Sequence, residues 1–230
     1  MKKRLKKGMK QALLPFGGRG GPRKGAGRKP KGRVAGVSHA KRAAVPVSYP
    51  VHITIKLRKG LPSLRTWGAY AVLRDCLAAA CGRKGLRLVH YSVQSNHIHL
   101  ICEATGRPSI SRGMQGLCIR IAKRFNAYWG RKGQVFADRY HEVVLRSPRQ
   151  VRNALCYVLH NAKKHGLKLT HALDPFSSAP WFDAWKEKVT IKGLDAIEDP
   201  TAEARSYLLS VGWKRARSPG GRVSIYDKPG

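Results

Sequence analysis

Short segments of alternating apolar and polar residues begin at residue 51 of the chain. The first, VHITIKLR, is rich in β-branched residues and predicts a strand. LRLVHYSV at 86–93 and HIHLICEA at 97–104 predict two further strands. The residues between these two, Gln94-Ser95-Asn96, are typical of a tight turn. The second and third strands should therefore form a hairpin.

Longer segments with apolar residues at spacings of three and four predict three helices. They are expected at residues 62–81, 109–129 and 147–165. The cap of the second helix is either Ser109 or Ser111. The third helix has a strong start signal, because Ser147 can serve as N-cap, Pro148 suits the first helical position and Gln150 follows three residues after the cap.

A fourth strand with an irregular start is predicted in QVFADRYHEVVLR, residues 134–146. The order is then strand, helix, strand, strand, helix, strand, helix. The first six elements match the ferredoxin-like βαββαβ pattern, an α+β fold with an antiparallel sheet and two helices on one face. The additional C-terminal helix follows. Residues 174–185, DPFSSAPWFDAW, are turn-rich and aromatic and are expected to pack on the core as irregular structure. One short helix is expected at 201–213, and the role of residues 167–230 is left open.

The charge of the chain changes the picture from fold to partner. Lys and Arg number 46 against 12 Asp and Glu, a formal charge of +34. Such an excess favours nucleic acid over a membrane surface as the partner, with steep salt dependence. The first 50 residues hold fifteen Lys or Arg and no acid. Residues 1–46 are therefore expected to be a disordered basic arm.

Targeting and redox signals are weak. No apolar run is long enough to span a membrane, and no secretory signal is evident, so a cytoplasmic location is expected. The five cysteines form no CxxC pair, which favours reduced thiols over a disulfide framework or a zinc site.

Two histidines one residue apart, His97 and His99, carry the first candidate chemistry. On a strand their side chains share a face, so they could clamp one divalent cation. A third ligand is needed, and the sequence leaves Glu103, Glu142 and Asn161 open. An oxygen-rich phosphate site suits Mg²⁺ or Mn²⁺.

A tyrosine on the third predicted helix carries the second. Tyr157 shares a helix face with Asn153, Asn161 and Lys164, a stripe that would otherwise be the solvated side of the helix. A phenol is a plausible nucleophile towards phosphorus when a cation lies nearby. Tyr91 and Tyr140 are rival candidates, although a core position is favoured for both.

YSVQSNHIHLICEA and FADRYHEVVLRSPRQVRNALCYVLHNAKKHG together resemble the single-tyrosine HUH transposases, and most of all their REP-associated tyrosine transposase branch. The resemblance spans about residues 47–166. His97-Ile98-His99 match the HUH pattern, and Tyr157 matches the nucleophile on the helix after the fourth strand. Asn161 stands where the family's helix-borne metal ligand, often Gln, follows the tyrosine by four residues.

The resemblance implies an enzyme that nicks and joins single-stranded DNA at hairpin ends through a 5′-phosphotyrosine, with Mg²⁺ or Mn²⁺ held by His97, His99 and Asn161. It implies a transposase domain at 47–166 between the basic arm and a C-terminal extension at 167–230, and it allows a homodimer or a monomer. The expected DNA-binding residues are Arg112, Arg120, Lys123, Arg124 and Lys164. The alternative is an inactive or domesticated nucleic-acid-binding protein of the same fold.

Overall fold

The computed structural model describes residues 42–82, 85–164, 171–189, 198–216 and 222–227. The main elements are β1 (Val51–Lys56), α1 (Trp67–Ala78), β2 (Leu86–Val93), β3 (His97–Ala104), α2 (Arg107–Tyr128), β4 (His141–Val144), α3 (Pro148–Leu159), α4 (Asn161–Lys164) and α5 (Tyr207–Ser210). Two short 3₁₀ turns lie at Ala179–Trp181 and Gly212–Arg215.

The four strands form one sheet in the order β2-β3-β1-β4, and every neighbouring pair is antiparallel. This is the strand order of a ferredoxin-like sheet, so the predicted α+β class and topology are confirmed. The hairpin of β2 and β3 is confirmed as well, with Gln94 N donating to the carbonyl of His97 across the turn.

One face of the sheet is covered by α1 and α2. Alternate residues of β3, among them Ile98 and Leu100, are fully buried there together with Met114 and Phe125 of α2. Side chains on a strand point alternately to opposite faces, so the residues between them face the other way. The main hydrophobic core therefore occupies one side of the sheet and leaves the other side for the remaining elements.

The opposite face is covered by α3 and the C-terminal segment. Val89 and Ile101 of the hairpin pack in a second cluster with Leu155 of α3 and with Trp185 and Trp213 from the C-terminal extension. The extension, to which the sequence assigned no role, is thus a structural layer over α3. As expected, residues 174–185 pack without regular strands or long helices.

Several boundaries differ from the sequence prediction. Helix α1 begins at Trp67, not near Ser63, because the Thr66 hydroxyl caps it by accepting from the backbone N of Ala69. Neither serine caps α2, which begins at Arg107, and the Ser109 hydroxyl is hydrogen-bonded to Thr105 instead.

The fourth strand is shorter than predicted, because residues 134–140 pair with the sheet through a single bridge between Leu57 and Phe136 before β4 starts. The helix expected at 201–213 is broken at Val211 into one α-helical turn and one 3₁₀ turn. The helix expected to reach His165 is interrupted at His160, and position 165 lies outside the described residues.

Of the predicted basic arm, only residues 42–46 belong to the described part of the chain. Across the described residues, none of the helices combines the length and apolarity that crossing a membrane would require. The five cysteines are free, and burial raises the pKa of Cys118 to about 12, so its thiol stays protonated at neutral pH.

Candidate active site

The histidine pair lies on the sheet face turned towards α3. His97 is the first residue of β3 and is partly exposed, and His99 is 4% exposed. Their ring centroids are 4.9 Å apart and the rings are perpendicular. Ile98 between them is buried in the core on the other face. Because side chains alternate along β3, Ile98 anchors the strand in the core, while His97 and His99, the residues before and after it, present their imidazoles on the opposite face.

Strand β1 supplies two polar residues beside the pair. Thr54 lies opposite His99 in the antiparallel register, and Lys56 lies opposite His97. His99 Nδ1 is 3.1 Å from His52 Nε2 and 3.1 Å from Thr54 Oγ1. These contacts fix the orientation of the His99 ring and direct its Nε2 as the nitrogen that would meet a cation.

The protonation of His52 suits this role. Burial and, to a smaller extent, the neighbouring His141 together lower the pKa of His52 to about 4. His52 is therefore neutral at physiological pH, and its Nε2 can accept a hydrogen bond from the Nδ1–H group of His99. On the other ring, His97 Nδ1 is 2.8 Å from Asn96 Oδ1. Both imidazoles are thus oriented through their Nδ1 atoms.

Helix α3 brings Tyr157 to the histidines. The Ser147 hydroxyl accepts from the backbone N of Gln150 at 3.3 Å, so the predicted N-cap is confirmed. The apolar face of α3, including fully buried Leu155, packs against the sheet. The Tyr157 ring then stands perpendicular to His99 with centroids 5.1 Å apart, and its centroid is 5.8 Å from that of His52. One chain supplies the tyrosine and both histidines.

A cation also lies beside the tyrosine. Lys164 Nζ is 4.5 Å from the centroid of the Tyr157 ring, a cation–π distance. Lys164 belongs to α4, the single turn that follows α3. Its charge is therefore held beside the phenol, where a phosphate would have to approach.

Asn161, four residues after Tyr157, is fully buried. Within the described part of the chain, neither Oδ1 nor Nδ2 of its amide has a hydrogen-bond partner. A buried amide without hydrogen-bond partners costs free energy, and a cation bound to its oxygen would offset part of that cost. An amide oxygen is also an accepted ligand for hard divalent cations.

The interruption between α3 and α4 is built by His160. Its Nδ1 is 2.9 Å from the carbonyl oxygen of Cys156, and its Nε2 is 3.0 Å from the carbonyl oxygen of Ser224. Lys163 Nζ donates to the carbonyl of Ile225 at 2.6 Å. The C-terminal segment thus braces the turn that carries Asn161 and Lys164.

The two acidic alternatives for a third ligand are engaged elsewhere. The Glu103 carboxylate is on the histidine face but accepts from the backbone N atoms of Arg205 and Ser206 and pairs with Arg87. Glu142 lies opposite Ile53 in the register, hence on the other face, where it pairs with Arg107 at 2.6 Å. Neither carboxylate is directed at the histidines.

The rival tyrosines are also placed away from the pair. The Tyr91 hydroxyl is buried and 2.7 Å from that of Tyr70, and burial raises its pKa far above the ordinary range. The Tyr140 ring is covered by the Arg42 guanidinium at 3.7 Å. Tyr157 is the candidate that the fold brings to His99.

The predicted DNA-binding residues fall into two groups. Those on α2 are Arg112, Arg120, Lys123 and Arg124. Helix α2 covers the sheet face opposite to the histidines, and Arg124 pairs there with Asp75 at 3.3 Å. Lys164 is the one member of the set beside Tyr157. DNA contact by the α2 residues remains a prediction.

The donor set fits a divalent cation bound partly by its substrate. Among the described residues, no three His, Cys, Asp or Glu side chains converge as a metal site. Two imidazoles plus the Asn161 oxygen leave coordination positions for phosphate oxygens and water, as Mg²⁺ and Mn²⁺ sites at phosphates commonly do. His52 and Thr54 were not among the residues predicted from the sequence. Their signal was the polar half of the alternation in β1, which shares a face with His97 and His99 once β1 pairs with β3.

Comparison with known proteins bears on this arrangement. Residues 47–159 match the family described as IS200-like transposases. This segment belongs to the IS200-like transposase family. It contains the whole sheet, both histidines and Tyr157. The match ends at residue 159 and leaves the C-terminal extension outside.

The transposase domain also has a structural neighbour. The solved structure of a REP-associated tyrosine transposase bound to a REP hairpin is 22% identical, with a TM-score of 0.50. The match covers 61% of this chain and 82% of the other. At this identity the likeness shows a shared fold. No curated protein matches the chain.

Proposed function

We propose that this transposase cuts and rejoins single-stranded DNA through a covalent bond between Tyr157 and a 5′-phosphate. The observation that carries the proposal is the perpendicular contact of Tyr157 with His99, 5.1 Å between centroids, with His97 a further 4.9 Å from His99. A nucleophile and a pair of metal-binding imidazoles are thus held together by three rigid elements, β1, β3 and α3. Rigid placement of this kind lowers the entropic cost of reaction.

His97, His99 and Asn161 would hold the metal ion, Mg²⁺ or Mn²⁺. When bound, the ion supplies Lewis-acid stabilisation of charge on the scissile phosphate. His52 and Thr54 orient His99 through its Nδ1, at 3.1 Å each. The amide of Asn161 offers an oxygen that has no other hydrogen-bond partner among the described residues.

Cleavage is an in-line displacement at phosphorus. The Tyr157 oxygen loses its proton and bonds to phosphorus, while the bond from phosphorus to the 3′ oxygen breaks and that oxygen gains a proton. The products are a 5′-phosphotyrosine and a free 3′-hydroxyl. Attack by a 3′-hydroxyl of another strand reverses the exchange and frees Tyr157. One phosphodiester replaces another, so no nucleotide cofactor is required.

Lys164 and Lys56 contribute positive charge on either side of the reacting group. Lys164 lies 4.5 Å from the Tyr157 ring, and Lys56 stands opposite His97 on the same sheet face. Both are placed to balance the negative charge of the phosphate and the phenolate during transfer. They hold and orient the strand, and they need not exchange protons with it.

We infer that the substrate is DNA with a hairpin near the cleavage point. Two things support this: the resemblance of HIHLICEA and NALCYVLHNAKKHG to the REP-associated branch, and the fold shared with a relative whose structure contains a REP hairpin. The charge of +34 supports a polyanionic partner of either hairpin or linear form.

The test is covalent adduct formation. Labelled single-stranded hairpin DNA from the flanks of the encoding locus is incubated with protein and Mn²⁺, and protein–DNA adducts are resolved on a denaturing gel. Tyr157→Phe should abolish the adduct, and Tyr140→Phe is the matched control that should keep it. Adduct formed by Tyr157→Phe at the wild-type level would reject the assignment.

The second function is binding without cleavage, as in a domesticated relative, and the charge of +34 favours it independently of Tyr157. Absence of any Mn²⁺-dependent nicking by the wild-type chain, with hairpin binding intact and unaffected by His97→Ala, would establish this function instead.

A further inference from the structure

Trp67, the first residue of α1, is 55% exposed. A tryptophan usually buries most of its surface, so an exposed one invites an explanation. Its ring is nonetheless held in place: it meets Phe176 at 4.9 Å between centroids with a tilt of 34°, and Tyr70 edge-on at 6.2 Å. One face of the indole is fixed by aromatic contacts while much of its surface is open to solvent.

A second exposed ring lies beside it. Tyr128, the last residue of α2, is 49% exposed, and its hydroxyl lies so close to Gly68 that a Cβ at that position would overlap it. Gly68 is the residue after Trp67. The absence of a side chain there lets the Tyr128 ring approach α1 directly, one residue after Trp67 in the chain. We call Trp67 and Tyr128 the aromatic platform.

The support below the platform is itself locked. The Arg65 guanidinium makes two hydrogen bonds to the Asp174 carboxylate, at 2.9 and 2.8 Å, and lies 4.6 Å from the Phe176 ring centroid. Asp174 also accepts from the backbone N of Phe176 at 3.1 Å. The C-terminal extension thereby holds the ring against which Trp67 packs, and the platform is pre-organised.

The chain segments that precede Trp67 and follow Tyr128 are rich in Lys and Arg. No acidic residue occurs in the sequence before Asp75, and Asp174 is neutralised by Arg65. Backbone N of Arg58 donates to the carbonyl of Val135 at 2.9 Å, which joins the loop after β1 to the segment after α2. These two segments contain Arg58, Lys59, Arg131 and Lys132.

The platform is at the same end of the sheet as His97. Backbone N of Leu57 donates to the carbonyl of Asn96 at 2.8 Å, and that of Leu64 donates to the carbonyl of Ser95 at 2.9 Å. The loop that leads into Trp67 is therefore tied to the turn that leads into His97. A strand lying at the histidines and crossing this edge would meet the exposed rings.

We propose that the aromatic platform stacks unpaired bases of the DNA strand that runs to the histidine site. The inference rests on the proposed function for its substrate, single-stranded DNA. Fixed exposed rings among cations are the combination by which proteins bind single strands without reading sequence. Bases in a duplex are already stacked on one another and cannot pack on the rings, so the platform should distinguish single-stranded from double-stranded DNA.

The experiment measures binding of the full chain to a fluorescent oligothymidine and to a duplex of equal length, without metal so that no cleavage occurs. Trp67→Ala should weaken oligothymidine binding roughly 5- to 150-fold, the range for loss of one base–aromatic stack. Trp67→Phe should restore most of the loss. Duplex binding should be unchanged, and so should the salt dependence of single-strand binding, because no charge is removed.

Tyr207→Ala is the matched control, since Tyr207 is also 55% exposed but lies in the C-terminal extension. Wild-type affinity in Trp67→Ala, or equal losses for single strand and duplex, would overturn the proposal. So would an equal loss in Tyr207→Ala, or a change in sedimentation of Trp67→Ala that revealed a self-association surface. A melting temperature close to wild type for Trp67→Phe guards against a folding artefact.

The two proposals fail separately. If the wild type forms adducts and Trp67→Ala binds oligothymidine normally, the aromatic platform is rejected and the proposed cleavage chemistry stands. Selective loss of single-strand binding in Trp67→Ala without any wild-type adduct would keep the platform and reject the chemistry.

Discussion

The Nε2 atom of His52 lies 3.1 Å from the Nδ1 atom of His99, so one imidazole positions another. Thr54 Oγ1 meets the same Nδ1 at 3.1 Å. Neighbours of this type raise the basicity of a metal-binding histidine and fix its tautomer. Removing His52 or Thr54 should therefore weaken cation binding, although neither residue would contact the cation directly.

We expect His52→Leu and Thr54→Val each to weaken Mn²⁺ binding by about 10- to 100-fold, the usual effect of losing such a neighbour. Binding can be followed by the electron paramagnetic resonance signal of free Mn²⁺, independently of DNA cleavage. Thr54→Ser keeps the hydroxyl and is the control. Wild-type Mn²⁺ affinity in both Leu and Val variants would show that the contacts do not tune the site.

The Asn161 amide should lower the stability of the metal-free protein and strengthen its binding of Mn²⁺. This amide is fully buried with no hydrogen-bond partner for either polar atom among the described residues. Asn161→Leu should raise the free energy of unfolding of the metal-free protein by about 1–3 kcal/mol, because the desolvation penalty disappears. The same variant should bind Mn²⁺ more weakly. Urea unfolding with and without Mn²⁺ measures both effects, and a destabilised metal-free variant would contradict the argument.

Two glycines of α2 form a matched pair. A Cβ at Gly113 would lie 2.6 Å from Cδ2 and 2.7 Å from Cβ of Leu86, whereas one at Gly116 would meet nothing within 4 Å. Gly113→Ala should lower the free energy of unfolding by about 1–3 kcal/mol through overpacking between α2 and β2. Gly116→Ala should raise it by about 1 kcal/mol through helix propensity. Equal effects in urea unfolding would refute the close approach.

The pH dependence of stability should be set partly by buried histidines. Burial lowers the pKa of His90 to about 4, with Asp183 opposing the shift, and lowers that of His52 to about 4. Below about pH 6.5, these histidines therefore bind protons in the unfolded chain but stay neutral in the folded chain until the pH approaches 4. Stability is complete above that pH and is lost as pH falls towards 4.

His90→Phe should flatten this decline, which for one such group amounts to about 3 kcal/mol over the full window. The comparison is made between pH 6.5 and 5, before carboxylates titrate. His171→Phe, at an exposed position, is the control. An unfolding free energy that stays constant from pH 6.5 to 5 in the wild type would contradict the buried-histidine account.

Local patterns predicted most of the fold. The alternation in VHITIKLR and HIHLICEA, the cap at Ser147 and the turn at Gln94-Ser95-Asn96 each act within a few residues, and each is found in the structure. The predicted fourth strand was too long, because the pairing of residues 134–140 depends on Leu57, which is distant in sequence. Local sequence patterns cannot reveal where such a long-range contact ends.

The site could be predicted only in part, for the same reason. His97 and His99 are two residues apart, so their common face follows from strand geometry alone. His52 contacts His99 across 47 residues, through a strand register that the sequence does not state. The engagement of Glu103 by the C-terminal extension depends on contacts across more than 100 residues. The candidate nucleophile and the candidate metal ligands follow from local patterns, but the residues that orient them do not.

The alternation along β3 separates reactivity from cohesion. Even-numbered positions such as Ile98 and Leu100 secure the core, and odd-numbered positions such as His97 and His99 face the side of the sheet that carries Tyr157. A lineage can therefore lose its chemistry by a single change without losing its shape. Such a variant would still bind the same DNA ends without cutting them, and it would compete with active copies for those ends.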